Sequence, residues 1–221
     1  MITFLESINR VRVKLRAGRL STLSNADEYT QLLAAFVNEA KEEVEDAWAW
    51  NTLQTRVSLT MVAGTDTYSL TGAGESFELY DVWNYTQDYY LPGPYSSKFV
   101  NEQELIGSLS GGISYFDFAG NDANGDPELR FIPAPASSGD IIYVYGYAKQ
   151  GYLDITSDAN TNIIVPWRPV VFGAYARAVS ERGEDGGIGF AEADMAFRMA
   201  LADAIAYDAA RMHKATDWTP C

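Results

Sequence analysis

Residues 24–51, SNADEYTQLLAAFVNEAKEEVEDAWAWN, decide the fold. Ser24 or Asn25 offers a side-chain oxygen to cap a helix. Asp27 and Glu28 place negative charge in the first turn, at the positive end of the backbone dipole. Leu33, Val37, Ala40, Val44 and Ala47 follow at spacings of four and three, with Phe36 and Trp48 widening the stripe. Glu39, Glu42, Glu43, Glu45 and Asp46 mark the opposite face. The pattern predicts a long amphipathic helix running up to Trp48-Ala49-Trp50-Asn51, where the period turns from helical to alternating. Two indoles at such a junction bury a large apolar area where two substructures meet.

Working outward toward the N-terminus, Phe4, Ile8, Val11 and Leu15 predict a first helix over 2–17, with Gly18 as its stop and a short loop before the second helix. The two form a helical hairpin. Arg10, Arg12, Lys14 and Arg16, with Arg19 just beyond, stand against Glu6 alone. This basic region is either a solvated helix face or a face that meets an acidic partner or DNA.

In the other direction the period becomes two. Val57, Leu59 and Met61 point one way and Arg56, Ser58 and Thr60 the other, and 63–66 reads as a turn returning into 67–70 as a hairpin. Further strands are expected at 77–84, 87–91, 113–118, 128–132 and 141–147, rich in aromatic and β-branched residues and separated by Gly, Pro, Asn and Asp. Asn101 caps one short helix between them, with Glu104 as its acidic N3 residue. Beyond a polar loop, helices are expected from about 167 to 183 and from about 190 to 214, the last rich in alanine. The tail from His213 to the C-terminus carries Trp218 and Pro220 and has no helical pattern. The expected architecture is α+β: a helical bundle from 1–52 and 164–221, ending in a C-terminal arm, with an inserted antiparallel β domain over 53–163. That domain is a sandwich or a partly open barrel.

A chain of 221 residues with 47% hydrophobic side chains is long enough to bury a proper core. Its formal charge of −14 argues against gripping nucleic acid, because affinity for phosphates rests on Lys and Arg. The single cysteine, Cys221, leaves no internal disulfide and no thiolate zinc site. No signal-peptide core opens the chain, and the most apolar stretch, 165–179, is broken by Arg168, Pro169 and Arg177, so no membrane span is expected. The reading is of a soluble protein made in a cytoplasm.

Catalytic patterns are sparse. His213 and Cys221 sit at the chain end, without the rigid support that a nucleophile pair needs. Asp122, Asn124 and Asp126 suggest a calcium loop at first, but glycine falls fourth and the twelfth position is Pro133, so a hairpin turn is the better reading. GAGES lacks the lysine and helix of a phosphate loop. No catalytic residue, metal or cofactor is expected.

Four stretches together resemble the head-to-tail adaptor family of tailed bacteriophages, the podophage tail tubular or head-completion type. They are FLESINRVRVKL; EEVEDAWAWN entering RVSLTMVAGTDTYSL; PELRFIPAPASSGDIIYVYGYA; and VPWRPVVFGAYARAV. The resemblance implies a virion structural protein of the neck, assembled in the host cytoplasm. It implies a homo-oligomeric ring, dodecameric in the family, beneath the portal protein, with tail or nozzle proteins attached below. DNA would pass through without tight binding, which an acidic wall suits. Candidate portal or subunit contacts are Arg10, Arg12, Arg16, Trp48, Trp50 and Trp218. Two rivals stand beside this reading. One is a carbohydrate- or receptor-binding β module, prompted by Trp83, Tyr85, Tyr89, Tyr90 and Tyr95; the other is a tail-associated hydrolase using two carboxylates.

Overall fold

The computed structural model describes residues 1–24, 26–106, 112–181 and 188–211. The chain is α+β and divides into two compact units, residues 1–53 with 150–221, and residues 54–149. Residues 150–163, counted with the strands in the sequence reading, belong to the helical unit.

In the helical unit, α1 (Phe4–Lys14) is capped by Thr3, whose hydroxyl accepts from the Glu6 N–H. It stops before Gly18. Leu15 is the C-cap, Arg16 takes the left-handed conformation at φ 59°, and the N–H groups of Arg16 and Ala17 donate to the carbonyls of Val13 and Arg12. Those two bonds are a Schellman termination, closed here by an arginine where glycine is usual. The second helix, α2 (Glu28–Asp46), is capped by Asp27 and not by Ser24; Asn25 lies outside the described residues. Leu33, Val37, Ala40 and Val44 are fully buried, as their spacing requires. Glu45 departs from expectation: it is buried with Lys41 one turn earlier and does not share the solvent face of Glu42 and Asp46.

The helices α4 (Trp167–Glu181) and α5 (Ile188–Ala209) complete the unit, and α4 packs against α1, α2 and α5. Gly173 permits one of these approaches. A Cβ there would lie 3.1 Å from the Ala40 methyl and 3.2 Å from the Phe197 ring. The connecting stretch threads between helices by backbone bonds: Phe4 N–H to Thr161 O at 2.9 Å, and Ile163 N–H to Ile2 O at 3.0 Å. The Asn38 amide both donates to and accepts from the Leu153 backbone at 3.0 Å.

The strand unit holds two antiparallel sheets. Numbering strands as β1 (Gln54–Thr60), β2 (Thr67–Ser69), β3 (Glu78–Asn84), β4 (Tyr89–Tyr90), β5 (Tyr115–Asn121), β6 (Pro127–Ile132) and β7 (Ile141–Tyr147), one sheet runs β1-β7-β3-β4 and the other β2-β6-β5. The expected hairpin over 55–70 is not formed. β1 pairs with β7 and β2 with β6, so the turn at 63–66 carries the chain from one sheet to the other. Leu59, Val82, Ile142 and Val144 of one sheet share a core with Phe116, Leu129 and Phe131 of the other, which makes a sandwich rather than a closed barrel. A helix, α3 (Ser97–Ile106), begins four residues before Asn101. The Asn101 side chain is therefore no cap, and it accepts from Arg130 at 3.3 Å instead.

Candidate interaction surfaces

The basic residues of α1 do not act alike. Arg12 is largely enclosed: its Nε donates to Gly18 O at 2.8 Å and its Nη1 to Thr30 Oγ1 at 2.6 Å, tying the loop to the start of α2. Arg10 bonds Glu6 at 3.0 Å and lies 4.0 Å over the Trp167 ring. Lys14 sits 4.1 Å over Phe172 and 5.4 Å from Tyr175, and burial there pulls its ammonium below the usual lysine range. Arg19 reaches back to the second oxygen of Glu6 at 2.5 Å, and Arg16 is exposed in the helix termination. Arg10, Lys14 and Arg19 line, with Glu6 and Arg168, a groove of about 450 Å³ between α1 and the start of α4, while Arg12 and Arg16 lie outside it. Its floor includes Trp167 and Phe172, and Val13 stands half exposed on its rim. Guanidinium and ammonium groups over rings are partly immobilised before any partner arrives, so binding orders them at a lower entropic cost.

The tryptophans also divide. Trp50 is 1% exposed and donates to Val44 O at 2.6 Å, closing the end of α2 as a core anchor. Trp48 is half-buried, and its indole N–H is enclosed without an acceptor among the described residues. Trp218, His213 and Cys221 lie outside the described residues.

An acidic stripe lies on the outward side of α2, where Glu39, Glu42, Glu43 and Asp46 are exposed. Arg177 of α4 reaches two of them, Glu39 at 3.2 Å and Glu43 at 2.6 Å. Behind the stripe, Lys41 donates to both oxygens of Glu45, at 3.3 and 3.2 Å, and to Gln150 O. Both side chains of that pair are essentially inaccessible. Burial pushes the Glu45 carboxyl above the usual glutamate range, against the pull of Lys41.

The strand unit presents a different surface. On the outer face of the four-stranded sheet, Trp83 pairs across strands with Tyr143 and Tyr90, and Tyr145 stands beside Arg56 and Asp81. Tyr80 packs on Tyr147 with centroids 5.2 Å apart, Tyr85 on Tyr143 at 5.0 Å, and Arg56 lies 4.2 Å over Tyr143. A shallow depression of about 470 Å³ runs over the rings of Tyr80, Trp83, Tyr85, Tyr90, Tyr143 and Tyr145. Of the aromatics that crowd together in the sequence, Trp83, Tyr85 and Tyr90 belong to this face. Tyr89 turns away and donates to Ile113 O, and Tyr95 packs with Phe99 and Tyr115. Tyr80, Tyr143, Tyr145 and Tyr147 were missed, although the alternation IIYVYGY puts the three β7 tyrosines on one side by itself.

The carboxylates around Asn124 serve the fold. Asp122 accepts from the N–H groups of Asn124 and Asp126, and Asp126 from those of Gly72 and Gly74. The segment is the β5–β6 hairpin turn, fixed to a neighbouring loop. Asp154 caps another turn, accepting from Thr156 and Ser157. Among the described residues no group of three or more His, Cys, Asp or Glu is arranged to hold a metal, and no helix is long and apolar enough to cross a membrane.

Against known families, the model described as SU10 adaptor protein matches residues 2–219. No curated protein matches the chain.

Proposed function

The chain belongs to the SU10 adaptor protein family, and from that premise we propose that it is a structural component of the phage neck, a head-to-tail adaptor joining portal and tail. The observation that carries this reading is the family match across nearly the whole length, helices and strands together. In the finer reading, copies assemble as a ring on the portal, tail components attach to the ring, and DNA passes through it. The charge of −14 supports passage without capture, since counterion release from phosphates needs clustered cations. The basic groove and the aromatic sheet face support it as contact surfaces, because Tyr, Trp and Arg are the side chains enriched where proteins bind each other.

The test is assembly. Purified protein mixed with DNA-filled, portal-bearing heads that lack it should appear as an added ring at the portal vertex by electron microscopy. Heads that remain undecorated at micromolar protein would overturn the reading. Duplex DNA should bind the isolated chain no tighter than micromolar at physiological salt; submicromolar binding with a steep salt slope would contradict free passage.

A second reading is favoured by one observation, the open row of tyrosines and Trp83 beside Asp81 and Arg56, which suits stacking against a saccharide. Glycan-array binding that disappears with Trp83→Ala would support it.

A further inference from the structure

The helical unit carries two faces of opposite charge that one chain cannot bring together. The groove between α1 and α4 gathers Arg10, Lys14, Arg19 and Arg168 around one carboxylate of its lining, Glu6, and Arg16 is exposed just past the end of α1. The outward stripe of α2 gathers four exposed carboxylates, Glu39, Glu42, Glu43 and Asp46, of which Arg177 reaches Glu39 and Glu43. Both faces border α4. Arg168 at the first face and Arg177 at the second are nine residues apart on that helix, about two and a half turns, so they project from opposite sides and stand roughly 14 Å apart along the axis. The other α4 residues agree: Trp167, Val171 and Phe172 line the basic groove, whereas Gly173 faces Ala40 of α2.

We propose that these faces are the two halves of a head-to-tail contact between copies of this chain, the acidic stripe of α2 seating on the basic groove of the next. This inference rests on the adaptor reading and adds to it the surfaces by which copies join. The occupant follows from charge complementarity. The groove is a concentrated cationic surface on an acidic molecule, and its complement, an acidic helix face, is present on every other copy. Matched charge of this kind sets register and steers encounter. The geometry gives the symmetry class. Two different patches on opposite sides make a heterologous contact, which either closes into a ring or runs on as a filament, and cannot stop at a two-fold dimer. The aromatic floor supplies what charge alone does not, because exposed ion pairs contribute little by themselves.

The experiment is a charge swap in the full chain. Lys14→Glu/Arg168→Glu reverses the groove, and Glu42→Lys/Asp46→Lys reverses the stripe; circular dichroism checks that both variants fold. Wild-type protein should self-associate at tens of micromolar in sedimentation velocity, about tenfold more weakly as salt rises from 50 to 500 mM. Each reversed variant alone should lose association, and an equimolar mixture of the two should regain it, since each then presents the other with an opposite charge. Reversed variants that associate like wild type, a mixture that stays monomeric, or a wild type monomeric at every salt concentration would each overturn the contact. If reversing the groove instead abolishes binding to duplex DNA and leaves self-association intact, the groove belongs to DNA. A wild type that decorates portal-bearing heads while ignoring the reversals sinks this contact alone; one that never decorates them sinks the adaptor reading.

Discussion

The helical unit and the strand unit both pair a closed core with a decorated surface, and they do it with different chemistry. The helical unit encloses a complete ion pair, Lys41 with Glu45, and shows charge outside, positive at one face and negative at another. The strand unit sets its Asp117–Arg130 fork, with bonds of 3.0 and 2.9 Å, at the rim: Asp117 is 1% exposed but its arginine is 22% exposed. Its displayed face is built of rings. The difference follows from period. A helix offers positions one turn apart, where a lysine and a glutamate meet inside the stripe, whereas a strand puts every second residue on one face, so a run such as IIYVYGY becomes a row of tyrosines. A charged face selects partners by sign and weakens with salt. A tyrosine face selects by shape and does not.

Separation is the bluntest way to break that comparison. Residues 54–149 expressed alone should fold into a strand-rich domain with a cooperative melt, because the core shared by the two sheets lies within that span. A fragment without a cooperative transition would mean that the two units are one folding entity.

Next in size is the enclosed pair. Glu45→Ala leaves the Lys41 ammonium buried without its carboxylate and should cost about 3–5 kcal/mol in urea titration, whereas Lys41→Leu/Glu45→Leu should lie near wild type or above it. Arg130 can turn toward water, so Asp117→Ala should cost less, about 1–2 kcal/mol. Equal losses at the two sites would erase the distinction drawn here. The pH dependence has a definite sign. Burial raises the Glu45 pKa in the folded chain. Its contribution is therefore full below the usual glutamate range and declines as pH rises through the folded value, a slope the doubly substituted protein should lack.

Glycine to alanine separates the packing styles. At Gly146 in β7 a Cβ would stand 2.2 Å from Phe77 Cζ and 2.6 Å from Glu78 O, and backbone cannot yield as a side chain can. Gly146→Ala should cost about 2–3 kcal/mol. At Gly173 the neighbours are at 3.1–3.2 Å, and alanine brings about 1 kcal/mol of helix propensity. Gly173→Ala should be close to neutral in thermal melts.

Much of this was legible in the sequence because periodicity reports which face is buried. The stripe through Leu33, Val37, Ala40 and Val44 marks α2, alternation marks β1, and aromatic and β-branched residues between turns mark β7. What alternation does not contain is pairing. The turn at 63–66 is equally good chemistry for a hairpin and for a crossing between sheets, and only the shared core decides. Glu45 was misplaced because a carboxylate reads as solvent-facing unless its partner is considered with it, and Lys41 is that partner. Of the candidate contacts, Arg10 stands at the groove and Arg16 is exposed in the termination of α1, while Arg12 and Trp50 are held inside the fold. Nothing in spacing alone separates Arg10 from Arg12, because the distinction lies in Trp167 and Thr30, far along the chain.

The smallest effect is the sharpest test, and it concerns Arg16. At φ 59° this residue sits in the left-handed region, where a Cβ crowds the backbone and glycine does not. Its N–H and that of Ala17 carry the two bonds ending α1, to Val13 O at 3.0 Å and to Arg12 O at 2.8 Å. Both are backbone bonds that glycine preserves. Arg16→Gly should therefore stabilise the free subunit by about 0.5–1 kcal/mol, the gain from relieving the strained conformation less the greater freedom of glycine in the unfolded chain. The same change removes one cation from the basic face, so self-association should weaken while the melting temperature rises. Those opposite signs distinguish a residue kept for its charge from one kept for its fold. A variant that melts lower than wild type would show that the arginine side chain supports the helix end. One that melts higher and associates as well as wild type would confine the contact to the groove residues themselves, Arg10, Lys14, Arg19 and Arg168, and exclude Arg16 beside them.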